Sequence, residues 1–237
     1  MSEENPTAPA EWGPMRSFGR IKSRKLKPLQ ASLFDTLLPE IEATDARVGA
    51  ALTSERELWL EIGFGGGEHL AAQAAKNPDV TFIGCEPFLN GVGSALRHIE
   101  DGGLKNLLIL AGDARPLLDK LPEASLSRIF ILFADPWPKA RHNKRRFIQP
   151  ETIAAFARSL KPGGTVRFTT DWADYADWAL ERFLASPDFA SSKFEWPARS
   201  QADWNTPPAD HITTRYETKG LGDCKPVFFD FVRKSAM

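Results

Sequence analysis

The chain has little cysteine: Cys85 and Cys224 are its only two. They form no metal-ligand spacing and no disulfide framework, so structural zinc and a disulfide-stapled scaffold are both excluded. A reducing compartment suits both thiols, and Cys85 reads as a buried strand residue. No apolar run is long enough to span a bilayer. Residues 1–14 are acidic and proline-rich and lack the apolar stretch of a signal peptide. A cytoplasmic protein is therefore expected. Internal repeats and low-complexity tracts are absent as well. Of 237 residues 42% are hydrophobic, enough for a core in a chain of one domain.

Net charge is also nearly absent, at −1, but its distribution is uneven. Arg16, Arg20, Lys22, Arg24, Lys25 and Lys27 stand together with no acid among them. Lys139, Arg141, Lys144, Arg145 and Arg146 form a second acid-free run. The other 19 basic residues face 31 acids, leaving the rest of the chain near −12. An acidic body with two concentrated basic segments is the footprint of a polyanion binder. Residues 1–27 are expected to be a flexible basic tail and 28–237 the folded domain.

Leu29, Leu33, Phe34, Leu37, Leu38 and Ile41 recur at helical spacing, predicting one amphipathic helix over 29–42. Strand and helix patterns then alternate. Strands are predicted at 57–64, 79–86, 106–113, 127–134 and 164–170. Helices are predicted at 68–76, 89–100, 151–160 and 173–185. Lys161-Pro162-Gly163-Gly164 is expected to separate the third of these helices from the fifth strand. Such alternation predicts an α/β fold, a doubly wound, mostly parallel sheet of the Rossmann-like kind. These sheets bind ligands beyond the carboxyl ends of their strands. Glu61 through Gly67, Glu86, Asp113, Asp135 and Asp171 fall there.

The first turn reads Glu61-Ile62-Gly63-Phe64-Gly65-Gly66-Gly67-Glu68. A dinucleotide fingerprint starting at Gly63 requires glycine where Glu68 stands. A pyrophosphate also seeks positive potential, whereas these strand ends are acidic. Acids repel a phosphate and attract a cation. S-adenosylmethionine, which carries a sulfonium and an ammonium and no phosphate, suits them better. Glu86, closing the second strand, can accept from both ribose hydroxyls, and Asp113 ends the strand over which adenine would lie.

With these residues in view, the chain resembles the bacterial tRNA (guanine-N7)-methyltransferases, within the class I methyltransferase superfamily. The most specific segment is Asp135-Pro136-Trp137-Pro138-Lys139-Ala140-Arg141-His142-Asn143-Lys144-Arg145-Arg146, which holds the family's DPW-x-K-x-x-H-x-K-R-R signature in full. Thr214-Arg215-Tyr216-Glu217 followed by Lys219-Gly220 is similar to a second family segment. Many relatives continue with a Gly-His pair, whereas this chain reads Leu221-Gly222-Asp223-Cys224-Lys225.

The resemblance implies a class I methyltransferase fold and methyl transfer from S-adenosyl-L-methionine to N7 of guanine in tRNA. The expected target is guanine-46 of the variable loop, and the product 7-methylguanosine. It implies cofactor contacts from Glu61, Gly63, Gly65, Gly67, Glu86, Asp113 and Asp135. Lys139, Asp171, Thr214, Arg215, Tyr216 and Glu217 would contact the guanosine. Arg141, His142, Lys144, Arg145 and Arg146 would meet the RNA. No metal and no obligatory protein partner are expected.

Guanine N7 offers an exposed lone pair and no proton, so the reaction needs alignment and electrostatics more than a base. Asp135 is the expected catalytic carboxylate, facing the positive charge that develops on the purine. Trp137, Trp172 and Trp204 are candidate stacking faces for a displaced base. His69, His98 and His211 read as structural. A nicotinamide-dependent oxidoreductase, a non-catalytic RNA-binding module and a methyltransferase for another nucleobase are the competing readings.

Overall fold

The computed structural model describes residues 25–190, 193–196, 198 and 200–234. Most of the expected basic tail, residues 1–24, lies outside the described residues. Seven strands form one sheet in the order β3-β2-β1-β4-β5-β7-β6. They are β1 (Leu58–Ile62), β2 (Thr81–Cys85), β3 (Leu107–Leu110), β4 (Leu126–Leu132), β5 (Leu160–Thr170), β6 (Phe194–Glu195) and β7 (Val227–Arg233). The first five are mutually parallel, while β7 runs antiparallel to β5 and β6 antiparallel to β7. Sequence reading located the five parallel strands but not the antiparallel pair at the edge.

Ten α-helices accompany the described strands: α1 (Pro28–Thr36), α2 (Leu38–Ile41), α3 (Asp45–Leu52), α4 (Glu68–Lys76), α5 (Leu89–Gly102), α6 (Arg115–Lys120), α7 (Pro150–Ser159), α8 (Ala173–Ala185), α9 (Gln201–Asn205) and α10 (Arg215–Lys219). The single helix expected over 29–42 is two, because Pro39 enters at the start of the second and cannot continue the hydrogen bonding of the first. The spacer before β1 holds α3, capped by the Thr44 hydroxyl. Helix α6 supplies the crossover between β3 and β4 that the sequence pattern did not show. Lys161-Pro162-Gly163-Gly164 does not precede β5 but lies within it, absorbed where the β4–β5 register shifts between Leu126 and Arg128.

Every residue of β1 is buried, as a central parallel strand requires. Side-chain alternation divides it between two cores. Leu58, Leu60 and Ile62 join Ile83, Leu117, Ile129 and Phe156 on one face. Trp59 joins Phe82, Leu70, Leu96 and Phe130 on the other, beneath α4 and α5. The chain crosses from β1–β2–β3 back to β4, so the sheet winds both ways from β1. Ligand sites in such sheets form at this switch point, beyond the carboxyl ends of β1 and β4. No helix among the described residues is long and apolar enough to cross a membrane.

Candidate functional site

A cleft of about 470 Å³ opens at that switch point. Ile62, Gly63 and Gly65 come from the β1 turn, Cys85 and Glu86 from β2, Asp113 and Arg115 from the β3 end, and Phe133, Asp135 and Trp137 from beyond β4. Gly63 and Gly65 hold φ of +71° and +55°, conformations that favour glycine, and this keeps the turn's backbone close to the cleft.

Glu86 is 7% exposed. Its two carboxylate oxygens accept from Gly65 N–H and Phe88 N–H, each at 2.8 Å. Burial nevertheless outweighs these bonds and pushes its pKa up to about 7, with the negative charges of Asp135 and Glu61 adding to the rise. Asp113 is engaged by Arg115, through the backbone N–H at 2.9 Å and the guanidinium at 2.6 Å. Arg115 in turn lies over the Phe147 ring at 4.6 Å. Arg115 and Phe147 therefore belong to the cleft wall, although sequence reading passed over them. The signal available was Arg115 two residues beyond a strand-end acid, at the start of a helix.

Asp135 stands between two residues in left-handed conformation, Phe133 at φ +53° and Trp137 at φ +45°. Backbone of this kind costs about 1–3 kcal/mol per residue and persists where the surroundings enforce it. Although Asp135 is exposed, desolvation of its carboxyl raises its pKa above the ordinary carboxylate value. Tyr216 packs its ring against Phe133 at 5.4 Å. Desolvation first, then the charges of Asp171 and Asp135, raise the pKa of its hydroxyl. Asp135, Asp171 and Tyr216 thus lie close enough for their charges to act on one another.

Asp171 is buried at the end of β5, and desolvation raises its pKa also. Its Oδ1 is a buried oxygen with no hydrogen-bond partner among the described residues. Its carbonyl accepts from Asp223 N–H at 2.9 Å and Cys224 N–H at 3.1 Å. A Cβ on Gly222 would stand 2.2 Å from that carbonyl oxygen. The residues that depart from the relatives' Gly-His pattern are therefore the ones that close over Asp171, and they need glycine at 222.

Other expected site residues fall elsewhere. Glu61 does not open onto the cleft. Its carboxylate is buried behind the turn, 2.7 Å from His69 Nδ1. Gly67, at φ +80°, starts α4 where a Cβ would come within 2.5 Å of the Ala95 side chain, so it serves helix packing. Thr214 caps α10 by accepting from Glu217 N–H, and Glu217 pairs with His211 at 3.0 Å. Arg215 is exposed, with its Nε 4.0 Å from Glu68.

The basic run divides. Lys139, Arg141 and Lys144 are exposed along a 3₁₀ helix over Ala140–Arg145. His142, within it, is edge-on to Trp137 at 5.9 Å. Desolvation, followed by the surrounding cations Arg145, Arg141, Lys139 and Lys144, holds the His142 pKa below its usual value. Arg145 lines the cleft and lies over the Trp137 ring at 5.0 Å. Arg146 corrects the sequence reading: it is 1% exposed and does not present itself to RNA. Its Nε donates to the Pro136 carbonyl at 2.8 Å, its Nη2 pairs with Asp174, and its guanidinium lies over Tyr175 and Trp178. It fastens the loop from inside. Trp204 is likewise no free stacking face, since it stacks on Trp196 at 5.4 Å. Trp172 packs against the core, leaving Trp137 on the cleft.

Among the described residues no cluster of three or more His, Cys, Asp or Glu could hold a metal ion. The group to test against the cleft is instead an adenosyl sulfonium. A close-set glycine backbone, a buried acid able to accept from hydroxyls and an acidic interior all fit it.

Residues 55–229 match the family model described as "Putative methyltransferase". A tRNA (guanine-N(7)-)-methyltransferase of Caulobacter sp. (strain K31) is 59% identical over 93% of this chain and 96% of its own length. Its counterpart in Hyphomonas neptunium is 48% identical over 92% and 99%, and that of Rhodospirillum rubrum 42% over 98% and 91%. Among solved structures, an antibiotic-related methyltransferase superposes with a TM-score of 0.55 at 16% identity, over 83% of this chain and 96% of that one. The 16S rRNA methyltransferase KamB gives 0.53 at 16%, over 82% and 95%. The two superpositions establish the class I methyltransferase fold. Over nearly its whole length, then, the chain belongs to the tRNA (guanine-N(7)-)-methyltransferase family.

Proposed function

We propose that this protein transfers the methyl group of S-adenosyl-L-methionine to N7 of a guanine in tRNA, guanine-46 of the variable loop, forming 7-methylguanosine. The observation that carries the reading is the convergence of Asp135, Asp171 and Tyr216 at the mouth of an acidic cleft, beside the exposed cations Lys139, Arg141 and Lys144.

The cofactor supplies an electrophilic methyl carbon on a positively charged sulfur. The chain supplies the rest. Gly63, Gly65, Glu86 and Asp113 line the cleft, and Glu86, once ionised, accepts from hydroxyls. Asp171 offers an unpaired buried oxygen that can accept from the N–H groups on the guanine's pairing edge. That choice leaves N7, on the opposite edge, free to face the donor. Asp135 places negative charge where the purine becomes cationic, and desolvation strengthens that interaction. No side chain need remove a proton. Arg141 and Lys144 neutralise phosphates and fix the RNA's position, and Lys139 contacts the guanosine. Work on tRNA carries with it a cytoplasmic location.

The test is to incubate the protein with tRNA and S-adenosylmethionine, digest the RNA with nuclease and identify the modified nucleoside and its position. 7-Methylguanosine in the variable loop is the expected result, and methylation at another atom would overturn the reading.

A further inference from the structure

Period-two alternation puts Glu61 on the same face of β1 as Trp59, beneath α4. His69, the second residue of α4, meets it there: Glu61 Oε2 and His69 Nδ1 are 2.7 Å apart and both side chains are 3% exposed. One turn further on, Gln73 Nε2 lies 3.3 Å from His69 Nε2 and 2.8 Å from the carbonyl oxygen of Asp210. Donor counting fixes the orientation of the chain. A carboxylate at Glu61 takes the Nδ1–H of His69, leaving Nε2 as an acceptor. One amide hydrogen of Gln73 fills that acceptor and the other is aimed at Asp210. Asn77 Nδ2, 3.4 Å from Gln73 Oε1, agrees with this placement of the amide.

Asp210 is held from its side chain too. Its carboxylate pairs with Arg128 and Arg167, each at 2.8 Å, and Arg167 is itself fixed by Asp230. Immediately beyond come His211, bonded to Glu217, and helix α10 with Tyr216. A buried polar chain thus runs from the strand that carries the cofactor turn to the segment that carries the guanosine contacts. None of Glu61, His69 and Gln73 lines the cleft.

We infer that Gln73 is a positioning residue for the substrate segment 210–217, with its amide oriented by Glu61 through His69. This rests on the tRNA-methylating function proposed above. Gln73→Met removes both amide donors at similar length and spares the Glu61–His69 pair. The expected result is a KM for tRNA raised about tenfold, as for one lost buried hydrogen bond, with S-adenosylmethionine affinity by calorimetry unchanged within about twofold. His69→Asn, which retains a donor near the Nδ1 position for Glu61 but breaks the link to Gln73, should give the same split. Should Gln73→Met not fold, Gln73→Asn carries the test, since it keeps an amide there but falls short of Asp210. A folded variant with tRNA KM unchanged, or with cofactor affinity falling in step, overturns the inference. Amide hydrogen exchange separates this from the functional reading. Faster exchange over 210–217 in the variant, with β1 and β4 unaffected, supports the anchor even if the wild-type protein fails to methylate tRNA. Unchanged exchange there rejects it.

Discussion

Replacing Glu86 by Gln should stabilise the free protein at alkaline pH while weakening its hold on the cofactor. The Glu86 carboxyl goes from an ordinary 4.5 to about 7 on folding. A group whose pKa is raised by folding stabilises the fold below its unfolded value, and that contribution is lost as pH rises through the folded one. Above pH 7 the native state must hold an ionised carboxylate that it solvates poorly, at a cost of about 3 kcal/mol relative to the protonated form. Glutamine resembles the protonated form and cannot titrate. The stability gap between Glu86→Gln and wild type should therefore widen in the variant's favour by about 2–3 kcal/mol between pH 5 and pH 8.5. Urea unfolding at the two pH values measures it, and subtracting the wild-type curve cancels every other titrating group. Calorimetry at pH 8 should show cofactor affinity down by about 1–3 kcal/mol, because glutamine has one acceptor oxygen where two hydroxyls need partners. Stability curves that stay parallel across the range would refute the burial argument.

Asp135→Ala should retain the fold and most tRNA affinity yet lower the single-turnover methylation rate by about 10²–10³. Wild-type single-turnover rates at saturating substrates should be nearly flat from about pH 7 to 8.5; a tenfold rise per pH unit would show that a proton must leave. Arg141→Ala with Lys144→Ala should reduce the salt dependence of tRNA binding by about 1.4 in log–log slope, for two lost contacts to unpaired RNA, with cofactor binding intact. Arg146→Ala should instead destabilise the fold by about 2–4 kcal/mol in urea, since it empties a buried site and releases the loop from Pro136 and Asp174. Gly222→Ala drives a Cβ into Asp171 and should raise the KM for tRNA while leaving calorimetric cofactor affinity alone.

Where the chain alternates cleanly between periods, its sequence predicts its fold. Strand-end carboxylates could be placed because parallel topology fixes where strands end. Helix α6, six residues long, is too short to show a helical period, and β6 is only two residues. The antiparallel turn of the last strands depends on contacts with β5 that no local pattern expresses. Within the site, residue type was legible and direction was not. Glu61 is the penultimate residue of β1 and Glu86 the first beyond β2, and alternation turns one under α4 and the other toward the cleft. Arg145 and Arg146 are neighbours of equal charge, and the end of a 3₁₀ helix sends one into the cleft wall and the other into the interior.

The pair of left-handed residues around Asp135 ties backbone strain to aromatic packing. Glycine at position 133 or 137 would release about 1 kcal/mol of backbone strain. It would also remove the ring that Tyr216 or Arg145 rests on and free the carboxylate to wander. Relief of strain alone would not make such a variant hardier, because glycine also raises the entropy of the unfolded chain and gives up the aromatic packing. The two aromatic residues therefore hold the strained turn and the packing that repays it in the same side chains.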